Sequence, residues 1–289
     1  MTQPSTPGNE PALYVVATPI GNLGDMVPRA VEVLQTVDLI AAEDTRHSSR
    51  LMDHFQIRTP LVAYHDHSDE RQVQSLVERL QQGQNLALIS DAGTPLVSDP
   101  GYRLVRSARQ AGIRVIPIPG ACALIAALSA SGLPSDRFSF EGFLPPKTGQ
   151  RLNRLQPLAA ESRTLIFYEA PHRIEDCLKD MGATFGASRE AVLAREISKT
   201  FETIRGGTLE ELQAFVAADP NQRKGEMVVM VRGQDKAAEQ TLDAEAARIM
   251  TILLESLSVK QASQIGAEIT GLKKKALYQW ALEQQEHRG

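Results

Sequence analysis

Four segments of the chain gather residue types that could do chemistry, and each follows a run that reads as a buried strand. SDAGTPLVSDPG (90–101) packs two aspartates, two glycines and two prolines directly behind LALIS (86–90). Such a run suits neither a helix nor the inside of a strand. Its backbone amides and carbonyls, freed from regular pairing, are set to meet a small molecule. TPIGNLGD (18–25) follows LYVVA (13–17) and holds glycines that let backbone approach a ligand closely. Taken alone it also reads as a tight βα turn. IPGACALIAALSASG (118–132) runs from a Pro-Gly turn straight into a helix of very small residues. Those residues suit a helix that receives a ligand at its start, or one pressed close against a sheet. AEDTRHSSR (42–50) places Glu43, Asp44, Arg46 and Arg50 behind the second strand, either in the same cleft or in a solvated loop with an ion pair.

The elements that must position these segments alternate. Strands are expected at 13–17, 38–44, 61–65, 86–90 and 114–120, with helices from Pro28, over 67–82, near 100–111 and over 121–132. Continuous apolar runs alternating with helices predict a parallel α/β sheet. In such a sheet ligands bind outside the carboxyl ends of the strands, where all four segments fall. Beyond residue 137 the texture changes. Strands are expected at 137–143, 163–169, 191–197, 201–208 and 226–233, with helices near 149–160, 172–182 and 208–218. Some of these strands follow one another without room for a helix, which predicts a partly antiparallel sheet. After the polar stretch 232–241 come helical segments at 243–256, 259–269 and 272–285, the last two with the outline of a helix-turn-helix. The expected organisation is a disordered N-terminus (1–12), an α/β domain (13–134), a second α+β domain (135–233) and a small helical domain (242–289).

At 289 residues, 42% apolar and 23% charged, the composition excludes a collagen, a disordered chain and a membrane-spanning bundle. A formal net charge of −4 lacks the global basic field of a naked nucleic-acid binder, so any such contact must come from a local patch. Cys122 and Cys177 form no CxxC or Cys/His cluster, so neither a metal site nor a disulfide framework is expected. The polar, Pro/Gly-rich start lacks the features of a signal peptide. A reducing cytoplasm is the expected location.

LYVVATPIGNLGD, LIAAEDTRHS, ALISDAGTPLVSDPGYRLV, VIPIPGACALIAALSASGLPSDRFSFEGFLPPK, RTLIFYEAPHRI, VLAREISKTFETIRGG and KGEMVVMV together resemble the tetrapyrrole methylase superfamily of S-adenosyl-L-methionine-dependent methyltransferases. The nearest branch methylates the 2'-hydroxyl of a cytidine in bacterial small-subunit ribosomal RNA. The resemblance spans about 13–232, and the C-terminal helices resemble that branch's extra domain. It implies two α/β domains with S-adenosyl-L-methionine in the cleft between them, and a homodimer. By motif, Pro19, Gly93, Thr94, Val97, Ala121, Cys122 and Ala123 would line the cofactor pocket from the first domain. Tyr168, Ala194 and Met227 would line it from the second. Many such contacts are backbone, so Cys122 is better taken as a small buried residue than as a thiol.

A ribose hydroxyl is a poor nucleophile, so a general base or a lysine that stabilises the developing alkoxide would help. The catalytic candidates are Lys199, Glu43 and Asp44, with Arg195 and Glu196 on the same strand end as Lys199. Lys199 and Glu202 could equally be an exposed strand-end pair. His65, His67 and His172 carry no assigned role. For RNA, the basic candidates are Arg46, Arg50, Lys147, Arg151 and Lys273, Lys274 and Lys275, with Arg154 beside the second pair and Tyr278 and Trp280 beside the lysines. Tyr278 could instead belong to a helical core. The implied substrate is ribosomal RNA, preferably in the assembled small subunit, with no DNA and no membrane. Two other readings stay open: a methylase of small tetrapyrroles, which gives no reason for the C-terminal helices, and a non-catalytic ribosome-binding module.

Overall fold

The structure is a computed structural model that describes residues 10–65, 69–234 and 244–286. His67, most of the expected N-terminal tail and most of the polar stretch before the last helices lie outside the described residues. The chain separates into two compact units, residues 1–233 and 234–289.

The first unit holds two sheets. In the first, β1 (Ala12–Val16), β2 (Leu39–Ala42), β3 (Leu61–Ala63), β4 (Leu86–Ile89) and β5 (Arg114–Ile118) run in the order β3-β2-β4-β1-β5. Every pairing is parallel. Its strands are apolar on both sides because both faces are covered. Helices α1 (Pro28–Thr36) and α2 (Thr45–His54) bury Leu34 and Met52 on one face. On the other, α3 (Glu70–Gln81) and α4 (Tyr102–Gln110) bury Leu80 and Leu104.

Helix α2 corrects the reading of 42–50 as a loop. Asp44 is its N-cap, with the carboxylate accepting from the backbone N–H of Arg46 and of His47. That bond to the Arg46 amide is the main reason the Asp44 pKa lies below the usual carboxylate value.

The second sheet is mixed: β6 (Phe138–Phe143), β7 (Thr164–Glu169), β8 (Glu190–Arg195), β9 (Thr203–Thr208) and β10 (Met227–Val231) in the order β6-β7-β10-β8-β9. β6 and β7 are parallel, and β10 is antiparallel to β7 and β8, as is β9 to β8. Helices α6 (Thr148–Leu155), α7 (Ile174–Phe185) and α8 (Leu209–Ala218) cover one face around Phe167 and Val229. The small-residue helix α5 (Ala123–Ser131) follows the first sheet but packs on the other face of the second. There Leu124, Ala127 and Leu128 meet Ile166, Val192 and Val228. α5 thus joins the two α/β domains.

The second unit is α9 (Ala244–Leu254), α10 (Val259–Thr270) and α11 (Lys274–Glu286) around Met250, Ala262 and Leu277. Ser258 and Gln261 form a capping box on α10, and Gly271 ends it in the left-handed region at φ 71°. A Cβ at Gly266 would stand 2.6 Å from Met250 Sδ, so this glycine sets how closely the helices cross. Among the described residues no helix is long and apolar enough to cross a membrane.

Candidate functional site

Three of the Gly/Pro segments converge because β4, β1 and β5 are neighbours in the sheet. Thr18 and Gly93 bridge two of them, Thr18 N–H donating to Gly93 C=O at 2.8 Å and Gly93 N–H to Thr18 C=O at 3.0 Å. Thr94 Oγ1 donates to Ala121 C=O at 3.0 Å and ties in the third. Gly93 lines the cavity these loops border, and because its N–H and C=O both pair with Thr18 it also stitches two of the loops together. At φ 82° it holds a conformation that favours glycine.

From the second sheet, antiparallel pairing of β10 with β7 and β8 brings Tyr168 and Glu169 beside Val228 and Met227. These ends close on a cavity of about 350 Å³. Ile20, Gly93, Thr94, Val97, Ser98, Asp99, Cys122 and Ala123 line it from the first sheet's loops and α5, and Phe143, Tyr168, Glu169, Ile197, Glu226, Met227 and Val228 from the second. Two loops on its wall hold non-glycine residues at positive φ: Leu96 (73°) and Ser98 (66°) in one, Glu196 (51°) and Ser198 (69°) in the other. Backbone held in such sparsely populated regions gathers at functional sites.

Of the expected cofactor residues, Gly93, Thr94, Val97, Cys122, Ala123, Tyr168 and Met227 meet at this one cavity. Pro19 and Ala121 lie on its loops without lining it, Pro19 buried. Ala194 is wholly buried behind the wall, paired with Val228. Tyr168 OH accepts from Leu124 N–H at 3.1 Å, and burial pushes its pKa upward. Cys122 and Cys177 are free cysteines, and Cys177 is buried in the core.

The catalytic candidates fare differently. β2 sits outside β4, two strands from β1, so Glu43 and Asp44 lean on the β4 loop rather than line the cavity. Glu43 Oε2 accepts from Asp91 N–H at 3.4 Å, and Asp44 N–H donates to Asp91 Oδ1 at 3.1 Å. Both carboxylates hold structure together, and neither lines the cavity. Lys199 does reach the site's edge. Its Nζ donates to Glu196 Oε1 at 2.9 Å and to Glu226 Oε2 at 3.1 Å, and Glu226 lines the cavity. Partial burial disfavours the charged amine, but the two carboxylates outweigh it and raise the Lys199 pKa. The Lys199–Glu202 pairing is not formed; Glu202 Oε2 accepts from Ser198 N–H at 2.7 Å. Arg195 is buried and donates to Phe201 C=O at 2.9 Å, which anchors this loop. The Lys199 stem lies across Gly21, and Ser198 Oγ donates to Asp25 Oδ2, so the segment clasps the first domain's TPIGNLGD loop.

Among the RNA candidates, Arg46, Arg50, Lys147 and Lys273 to Lys275 are exposed. Arg151 is the exception, only 1% exposed. Its Nε donates to Asp180 Oδ2 at 2.7 Å and its Nη1 to Pro146 C=O at 3.2 Å, so it cannot reach a phosphate. Arg154 pairs with Glu141 at 2.6 Å. Tyr278 is exposed, and Trp280 packs partly buried against the helical core. His65 and His172 are exposed. Ile20, Ser98 and Asp99 lie in segments the sequence marked without being named there, while Phe143, Glu169, Ile197, Glu226 and Val228 were missed. Only the Gly142 inside a strand pattern hinted at a bulge beside Phe143. Among the described residues no cluster of three or more His, Cys, Asp or Glu could hold a metal ion.

A parallel sheet and a mixed sheet closing on one ligand-sized cavity define the class: the chain belongs to the Tetrapyrrole (Corrin/Porphyrin) Methylases, whose family model matches residues 12–213. A second model, the RsmI C-terminal HTH domain, matches residues 240–285. The chain is 59% identical over 274 residues to the Ribosomal RNA small subunit methyltransferase I of Pseudomonas aeruginosa, covering 94% of this chain and 97% of that protein. It is 56% identical over 281 residues to the protein of the same name from Escherichia coli O157:H7, covering 97% and 98%. Two solved structures share the fold. One is uroporphyrin-III-C-methyltransferase from Thermus thermophilus (TM-score 0.52, 19% identity, 76% of this chain and 94% of that one). The other is diphthine synthase (TM-score 0.57, 15% identity, 76% and 89%).

Proposed function

We propose that the protein methylates the 2'-hydroxyl of a cytidine in small-subunit ribosomal RNA, with S-adenosyl-L-methionine as donor, in the cytoplasm and as a homodimer. The observation that carries this is the near full-length match, at 59% identity, to a relative named Ribosomal RNA small subunit methyltransferase I. The cavity supports it. About 350 Å³ suits a ligand of this size. Apolar walls from Ile20, Val97 and Met227 and the Tyr168 ring suit an adenine, and the carboxylates of Asp99 and Glu226 suit a cation. These residues fit S-adenosyl-L-methionine, which supplies a methyl group on a positively charged sulfur.

In this reading Thr94, Val97, Cys122, Ala123, Tyr168 and Met227 hold the donor directly. Pro19, Gly93, Ala121 and Ala194 keep those walls in place. Lys199, an ammonium at neutral pH whose charge its two carboxylates favour further, donates a hydrogen bond to the acceptor oxygen as negative charge builds on it, and the displaced proton passes to solvent. Glu43 and Asp44 brace the loop behind β4, and Arg151 braces the chain ahead of α6, so none of the three acts in transfer or RNA contact. Lys147, Arg46, Arg50 and Lys273 to Lys275 neutralise phosphates. The net charge of −4 favours the assembled subunit, which offers shape as well as phosphates, over naked RNA.

The test is to incubate the protein with methyl-labelled cofactor and unmodified small subunits, free ribosomal RNA or a tetrapyrrole. Label in the RNA of the subunits is expected. Label only in the tetrapyrrole, or stoichiometric cofactor binding with no transfer, would overturn the reading. Within it, Lys199→Met lowers the single-turnover rate at saturating subunit about 10²–10³-fold with cofactor affinity unchanged.

A further inference from the structure

We propose that the ring of Phe143 is a stacking platform for an unpaired nucleobase of the RNA acceptor, at the opening of the cavity. This rests on the function proposed above. Phe143 lines the cavity, yet 55% of it is exposed. An aromatic ring held half in water on a rigid strand has unspent apolar surface, and the structure goes to some length to hold it there.

The β6–β7 register shifts between Phe140 and Gly142, so that Phe140 pairs with Ile166 while Phe143 pairs with Tyr168. The extra residue is a bulge, and bulges re-aim side chains. It returns Phe143 to the face of Phe140, and both rings stand edge-on to Tyr168, with centroids at 5.6 Å and 4.8 Å. Gly142 makes the bend at φ 67°, and its Cβ position lies 3.6 Å from Ser98 Oγ of the strained cavity loop. The chain after the ring is pinned by two guanidiniums, that of Arg151 buried and that of Arg173 partly so. Arg173 Nη1 donates to Leu144 C=O at 3.2 Å, and Arg151 Nη1 donates to Pro146 C=O at 3.2 Å. The exposed Lys147 follows directly. A half-exposed ring with an exposed cation four residues further along the chain offers the two chemistries a nucleotide needs, an apolar face for the base and a positive charge for the phosphate.

The experiment compares wild type, Phe143→Ala, Phe143→Leu and Phe143→Trp. Cofactor affinity is measured by calorimetry, and binding to unmodified small subunits by co-sedimentation with S-adenosylhomocysteine present. Single-turnover methylation is followed in parallel. Loss of a stacked base is expected to weaken subunit binding by Phe143→Ala about tenfold or more, with cofactor affinity within about twofold of wild type. Phe143→Trp binds like wild type, and Phe143→Leu like Phe143→Ala. Phe143→Ala that binds and methylates normally overturns the proposal, and so does Phe143→Leu that matches wild type, because the ring is then only apolar cover. Lost cofactor affinity in Phe143→Ala also overturns it, since the ring then serves the donor. Wild type that methylates no RNA overturns the functional reading, and this one with it. Wild type that methylates beside an unaffected Phe143→Ala overturns this one alone.

Discussion

At the scale of single residues, the charge on Lys199 is set by opposing effects. Burial works against the ammonium, while Glu196 and Glu226 favour it and win, so its pKa rises above the ordinary 10.5. Burial likewise works against the Glu196 carboxylate, but Lys199 and the Glu226 amide win, and its pKa falls below the ordinary 4.5. A raised lysine stabilises the fold fully below 10.5 and ceases to as pH climbs through its raised value. A lowered carboxylate stabilises above 4.5 and ceases to as pH falls through its lowered value. The gap in thermal midpoint between wild type and Lys199→Met is therefore expected to be flat between those limits and to shrink beyond each. A gap that changes across neutral pH would contradict this. Arg151 makes a second case. Removing it leaves the Asp180 carboxylate buried without its partner, so Arg151→Ala should lose about 3–5 kcal/mol in denaturant unfolding. Lys147→Ala should leave stability alone and flatten the salt dependence of subunit binding. The sequence places these two cations four residues apart in one polar stretch, and nothing local separates them. Asp180, which pairs with Arg151, lies beyond β7 in the middle of α7.

At the scale of elements, the clasp between the two α/β domains depends on one missing side chain. Gly21 sits at φ 142°, and a Cβ there would stand 2.4 Å from Lys199 Cε and 2.5 Å from its Cγ. Gly21→Ala is expected to destabilise the fold, and to do so less in a Lys199→Ala background, where the clashing stem is gone. Denaturant unfolding of the four proteins gives this coupling directly. Strictly additive losses would mean that the approach does not matter. The glycine-rich loops behind β1, β4 and β5 were legible because glycine and proline interrupt apolar runs where a parallel sheet binds ligands. Helix α2 was not, since its polar face filled the window, although Asp44 ahead of Thr45 is a cap signal. Which sheet α5 covers was not legible either. Leu124, Ala127 and Leu128 mark a buried face but not its partner. Phe143 and Glu226 looked like ordinary strand-end residues, and only the tertiary pairing of β6, β7 and β10 brings them to the cavity.

At the scale of the whole molecule, the described residues that line the cavity all precede residue 229. Deleting residues 234–289 should therefore leave cofactor affinity, read by calorimetry, unchanged while weakening methylation of small subunits. Loss of cofactor binding in a folded truncation would show that the helical unit belongs to the site. Small subunits lacking the modification are incubated with the protein and methyl-labelled cofactor. Their RNA is then digested to nucleosides, and the label is followed through chromatography and mass spectrometry. A single labelled product, cytidine carrying the methyl on its 2'-oxygen and arising from one position, is the expected result. Label on a nucleobase, or spread over many riboses, would contradict the account.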